Sequence, residues 1–266
     1  MPHKLMNLSE PILLSSKSNS RFKQMRTTLA VSGVKRTHTI LLGEKLILEW
    51  FESKPLVASN RLWPIRWLRL EGHKTHHIER ELKLETWELS ENLMRDISDT
   101  ASPPSLALVM ELGDEPCGTI ADLVIVPWGI QDPGNLGAIL RSAAAFGFQE
   151  AILGPGCADP FNPKALRGSM GAAFTMPLRR FDKKCFADGR WIALDSEPNA
   201  LLIESVDLSV PLRLMVGNEG HGWRDVELPE HCVRTAIPIS KVESLNAAVA
   251  VGIACYEAAK KFKGYT

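Results

Sequence analysis

Hydrophobic positions divide the chain into two stretches with different rhythms. In the second stretch five short runs are almost continuously apolar: "IADLVIVPWGI", "QEAILG", "RWIALDS", "LRLMVGNE" and "VRTAIPIS". Such runs predict strands buried on both faces, and the helical segments between them predict an α/β fold with a parallel sheet. "NLGAILRSAAAFG" is the clearest of those helices. Leu136, Ile139, Leu140 and Ala143 form its buried stripe, with Asn135 placed to cap its start and Gly147 to end it. A last helix is expected after Ser244 as N-cap, and from Ala247 to Tyr256 it holds no charged or amide side chain. A surface helix needs a polar stripe, so this one is expected to be covered on every side.

The first stretch reads as a small α/β unit. "SRFKQMRTTLAVSG" predicts a basic helix ending near Gly33, and "THTILLGEKLILEWFES" a strand, a glycine turn and a helix. "KPLVAS" and "ETWELSENLMRDI" predict one more strand and one more helix. Ser102-Pro103-Pro104-Ser105 is a loop signal, which sets the expected domains at 1–104 and 105–266.

Composition narrows the class. A chain of 266 residues allows one or two domains. With 45% hydrophobic and 23% charged residues it can build an ordinary core. No apolar run reaches the roughly 18 residues of a membrane span; the longest, "TIADLVIVPWGI", contains Asp122. The N-terminus lacks signal-peptide architecture, so a cytoplasmic protein is expected. The five cysteines are scattered with no C-x-x-C pair, which fits a reducing compartment and speaks against a structural zinc site. Net charge is zero. Yet Lys4, Lys17, Arg21, Lys23, Arg26, Lys35 and Arg36 precede Gly43 against the single acid Glu10. That run is either a phosphate-attracting surface or a solvated basic helix.

Ligands of parallel sheets bind beyond the carboxyl ends of the strands. Three segments there combine polar residues with glycine. "DPGNLGAILRSAAAFG" holds Asn135 and Arg141, the latter either a snorkelling cation or a guanidinium facing an anion. "LMVGNEGHGW" holds Gly217, Asn218, Glu219, Gly220 and Gly222 in a G-x-x-G-x-G spacing, neither a dinucleotide fingerprint nor a P-loop. "IPISKVESLNAAVAVG" holds Ser244 and Asn246 at the mouth of the last helix. Elsewhere, His73, His76 and His77 lack metal-site spacing. Trp63 and Trp67 in "RLWPIRWLRL" either stack on bases among Arg61, Arg66 and Arg69 or pack inside the fold.

Together and in this order, the three segments resemble the signature motifs of the SpoU family of RNA ribose 2′-O-methyltransferases in the SPOUT superfamily. "NPKALRGSMGAAFTMPL" is similar to the segment the family places between the first two motifs. The resemblance covers about Leu123 to Glu257. It implies a C-terminal SPOUT domain tied in a deep trefoil knot, one of the rare threaded folds. It also implies S-adenosylmethionine as cofactor, no metal, and a homodimer through the C-terminal domain. The cofactor zone would be Met215, Val216, Gly217, Asn218, Gly220, Ile237, Ile239 and Leu245. Arg141 would orient and polarise the ribose hydroxyl, with Asn135, Glu219, Ser244 and Asn246 in support. More weakly, the first unit resembles the ribosomal-protein-L30e-like substrate-binding domain of many relatives, with Gly43-Glu44 in inverted order. The expected substrate is RNA, ribosomal more than transfer RNA. The competing readings are a noncatalytic RNA-binding or ribosome-assembly protein and a nucleotide-dependent dehydrogenase, the latter lacking its fingerprint.

Overall fold

The protein, seen in a computed structural model, is described over residues 10–53, 62–98, 100, 102–116, 118–183, 189–218, 222–223 and 226–262. It divides into two compact units, Met1–Asp114 and Glu115–Thr266.

The first unit contains β1 (Ile12–Leu14), α1 (Ser20–Ala30), β2 (His38–Leu42), α2 (Glu44–Ser53), β3 (Leu62–Leu70), α3 (His77–Leu82), β4 (Thr86–Leu89), α4 (Glu91–Ser98) and β5 (Leu106–Leu112). These strands form one mixed sheet in the order β1-β4-β3-β5-β2, with β5 antiparallel to both neighbours. The basic helix α1 forms because Phe22, Met25 and Leu29 recur on one face, and Asn19 accepts the Arg21 N–H at 2.9 Å as its cap. That face packs on Ile40, Leu42, Leu68 and Val109 of the sheet.

Two segments of the first unit are placed here. "RLWPIRWLRL" is the strand β3, in which Trp67 is fully buried and Trp63 is exposed. The Ser-Pro-Pro-Ser segment is a turn inside the first unit, because Ser105 accepts the Leu70 N–H at 2.8 Å and the chain returns to the sheet as β5. The division expected between 104 and 105 therefore falls between Asp114 and Glu115. The strand expected at "KPLVAS" lies outside the described residues.

The second unit contains β6 (Leu123–Pro127), α5 (Pro133–Ala145), β7 (Glu150–Leu153), α6 (Pro163–Ser169), α7 (Ala172–Thr175), β8 (Leu178–Arg180), β9 (Arg190–Leu194), β10 (Leu201–Leu202), β11 (Leu212–Val216), β12 (Val233–Ala236) and α8 (Ala247–Phe262). All seven strands pair in parallel, in the order β10-β12-β9-β11-β6-β7-β8. The expected parallel α/β sheet is present, and its five apolar runs are β6, β7, β9, β11 and β12. On one side α5 crosses α6 so closely that a Cβ at Gly137 would overlap the Ala165 carbonyl oxygen; only glycine fits there.

The last helix is covered on one side only. Val251, Ala254, Cys255 and Ala258 are buried, whereas Val249, Ile253 and Tyr256 are 51%, 36% and 50% exposed. Its cap also differs from expectation. Asn246, not Ser244, accepts the Ala248 N–H at 3.0 Å. Likewise Asp132, not Asn135, caps α5, accepting the Asn135 N–H at 2.8 Å with Pro133 in the first turn.

Candidate active site

Three strands that lie side by side, β12, β9 and β11, end at one edge of the second sheet, and the loops leaving them enclose a cavity of about 540 Å³. That volume suits a small organic ligand. One wall is Val216, Gly217 and Asn218 after β11; a second is Ile237 to Ile239 after β12, continuing to Ser244 and Leu245. The third is Leu194 to Glu197 after β9. Trp223 supports the floor, its Nε1 donating to the Leu194 carbonyl at 2.7 Å. A side chain at Gly217 would press on that indole at 3.3 Å, so the bare backbone is part of the cavity's shape.

The expected site residues distribute as follows. Val216, Gly217, Asn218, Ile237, Ile239, Ser244 and Leu245 line the cavity. Met215 is fully buried in the sheet core beneath it. Glu219 and Gly220 lie outside the described residues. Asn135 and Asn246 are joined: the Asn246 side-chain amide donates to the Asn135 side-chain oxygen at 3.3 Å. The loop that leads from β6 into the first segment also approaches the second, since a Cβ at Gly129 would sit 3.4 Å from the Asn218 Cβ. Arg141 projects from α5 into solvent, with no hydrogen-bond or ion-pair partner among the described residues.

Electrostatics reinforces this frame. Asp132 accepts the Lys164 ammonium at 2.5 Å as well as the Asn135 N–H. The ammonium first, and then the backbone donor, holds the Asp132 carboxyl below the usual range. A fixed carboxylate at the start of α5 suits the positive end of the helix dipole. Cys157, near the end of β6, donates its thiol to the Pro127 carbonyl at 3.2 Å. Burial pushes its pKa up to about 11, so it is a packing residue and not a thiolate nucleophile.

Sequence reasoning missed Asp195, Glu197 and Trp223. Asp195 is tied to Arg234 of β12 at 3.2 Å, and its other oxygen accepts the Ser196 and Glu197 N–H groups at 2.8 and 3.2 Å. The available signal was positional, a polar loop directly after an apolar strand. The histidine cluster is structural. His76 caps α3 with Nδ1 accepting the Ile78 N–H at 3.3 Å, stacks on Trp67, and places Nε2 3.1 Å from Glu44. Among the described residues no group of three or more His, Cys, Asp or Glu is arranged to hold a metal ion.

A parallel sheet with a ligand cavity at its carboxyl edge and an Asn-Asn brace joining two loops defines an α/β protein with a small-ligand site. A family model, the SpoU rRNA Methylase family, matches residues 122–256, half of the chain. The chain belongs to this family, and it is an RNA methyltransferase. It is similar to the 23S rRNA (guanosine(2553)-2′-O)-methyltransferase RlmP of Bacillus subtilis, 28% identical over 250 residues, covering 91% of this chain and 97% of that one. It is also similar to the 23S rRNA (guanosine-2′-O-)-methyltransferase RlmB of Xanthomonas campestris pv. campestris, 37% identical over 152 residues, 53% of this chain and 60% of that one. The fold is shared with the SpoU methyltransferase AviRb from Streptomyces viridochromogenes in complex with AdoMet: TM-score 0.75, 23% identity, covering 91% of this chain and 98% of that one.

Proposed function

We propose that the chain transfers the methyl group of S-adenosylmethionine to a ribose 2′-hydroxyl of ribosomal RNA. The observation carrying this reading is the cavity built from the loops after β9, β11 and β12, next to the Asn246–Asn135 brace. RlmP and RlmB are named for guanosines of 23S rRNA, which makes that RNA the first substrate to test.

The residues present fit the cofactor. Val216, Ile237 and Leu245 offer apolar walls for a flat base, Gly217 leaves room for close approach, and Asn218 and Ser244 supply polar ends. When bound, the cofactor supplies an electrophilic methyl group on a cationic sulfur. The protein must then present the hydroxyl and favour loss of its proton. An arginine keeps its proton in proteins, so Arg141 binds the phosphate beside the target ribose and polarises the hydroxyl. Asn135 and Asn246 hold the two loops in register, and Ser244 lines the approach to the hydroxyl.

The remaining architecture follows the same reading. The chain after β11 and β12 threads as a trefoil knot, which brings both loops to one cavity. The exposed face of α8, Val249, Ile253 and Tyr256, is the seat of a second copy in a homodimer. The first unit is an L30e-like domain that holds the RNA, supported by the exposed cations Arg21, Lys23 and Lys35. The unpaired thiols of Cys157, Cys232 and Cys255 accord with a cytoplasmic enzyme. Among the described residues no helix is long and apolar enough to cross a membrane.

The test is to incubate the protein with labelled S-adenosylmethionine and ribosomal RNA from cells lacking its gene. Label at a ribose 2′-oxygen is expected. No label in any RNA, together with no cofactor binding by calorimetry, overturns the proposal.

A further inference from the structure

Of the seven tryptophans, Trp50, Trp67, Trp87, Trp191 and Trp223 are at most 5% exposed and Trp128 is half-buried. Trp63 is 46% exposed. It occupies a defined place. Trp63 of β3 stands opposite Glu111 of β5, and Glu111 stands opposite His38 of β2. Residues directly opposite point to the same face about 5 Å apart. Further along that face, Ile40, Val109 and Leu68 are buried against Phe22 and Met25 of α1. The helix covers those rows and leaves the Trp63 end open. The Glu111 side chain is exposed and has no hydrogen bond or ion pair among the described residues. Lys35 and Arg36 run directly into the His38 end of the row, where Arg36 donates to the His38 carbonyl at 3.2 Å and Lys35 is exposed with no hydrogen bond or ion pair among the described residues.

An indole face, a neighbouring exposed carboxylate and an adjacent exposed cation are the parts of a single-stranded RNA subsite. We propose that the Trp63–Glu111–His38 row binds one unpaired nucleobase of the RNA, deepening the RNA methyltransferase reading on which it rests. The base stacks on Trp63, and Lys35 takes a flanking phosphate. Glu111 accepts a hydrogen bond from an exocyclic amino group, which cytosine, adenine and guanine have and uracil lacks. The subsite therefore reads the base as well as holding it.

The test uses the full-length chain. Short oligo(C), oligo(A) and oligo(U) ribonucleotides are titrated by fluorescence anisotropy, and methyl transfer to 23S rRNA is measured in parallel. Trp63→Ala is expected to weaken oligo(C) and oligo(A) binding by about 5- to 150-fold, the range for one base stacked on an aromatic ring. It is expected to raise the KM for RNA similarly, with kcat and cofactor affinity unchanged. Trp63→Phe should keep most of the binding, and Glu111→Gln should narrow the preference for oligo(C) over oligo(U). Unchanged oligonucleotide affinity in Trp63→Ala overturns the proposal. So does weakened binding to intact ribosomal subunits with naked RNA unaffected, which would assign the face to a protein. If the wild type transfers no methyl group but oligonucleotide binding depends on Trp63, the enzyme reading fails and the base subsite stands.

Discussion

Two arginines set the two units apart. Arg69 in β3 is 7% exposed, and its guanidinium bonds Glu79 at 3.1 Å, Glu88 at 2.6 Å and Thr75 at 2.9 Å. Arg141 in α5 is exposed and has no partner among the described residues. The first commits its Nε, Nη1 and Nη2 to its own fold, and the second makes no hydrogen bond or ion pair among the described residues. Charge alone does not separate them, since both lie among apolar neighbours in sequence. What separates them is whether the fold brings carboxylates to the same place.

Replacing each arginine should therefore hit a different property. The largest effect is expected from Arg141→Ala: turnover falls by about 10²- to 10³-fold, while cofactor binding and the urea midpoint stay near wild type. Equal turnover would remove Arg141 from the chemistry. Arg69→Ala strands Glu79, 4% exposed, without its main partner. A loss of about 3–5 kcal/mol is expected in urea unfolding, and a loss below 1 kcal/mol would mean that the network is ornamental.

Smaller effects sharpen the contrast within the second unit. Asn246→Ala should lose about 1 kcal/mol from the helix cap and also lower turnover. Asn246→Asp keeps the capping oxygen but removes the donor to Asn135, so stability should recover while turnover does not. Recovery of both would show that the brace is only a cap. The smallest effect is expected at an exposed ion pair: Lys164→Ala should change stability by less than about 1 kcal/mol. Asp132 is held below its ordinary value of 3.8, so its contribution is present above about pH 4 and is lost as pH falls through the lowered value. Without Lys164 that dependence should flatten in acid unfolding curves, and an unchanged slope would exclude the pair as its cause.

The two units were also unequally legible. Buried parallel strands announce themselves as unbroken apolar runs, which is why β6, β7, β9, β11 and β12 could be read directly. β3 could not, because Arg66 and Arg69 interrupt its pattern. Arg66 pairs with Glu85 at 2.5 Å and lies 4.0 Å over the Trp87 ring; Arg69 enters its carboxylate network. Those partners come from elsewhere in the sequence. β10, with two residues, is too short to carry a period. Both cap assignments slipped by two or three residues because Asp, Asn and Ser all cap helices; Pro133 was the clue favouring Asp132. In the site, motif residues with distinctive side chains were visible. The wall at Leu194 to Glu197 was not, since its only signal was its position after an apolar strand and Asp195 finds its partner, Arg234, 39 residues away.

The Asn246–Asn135 contact joins positions 111 residues apart. Closing a loop of that length is unfavourable until the intervening strands have already paired. The brace therefore relies on that pairing to bring its two ends together. The shape of the cavity mouth thus depends on the packing of the whole second unit and not on any one loop.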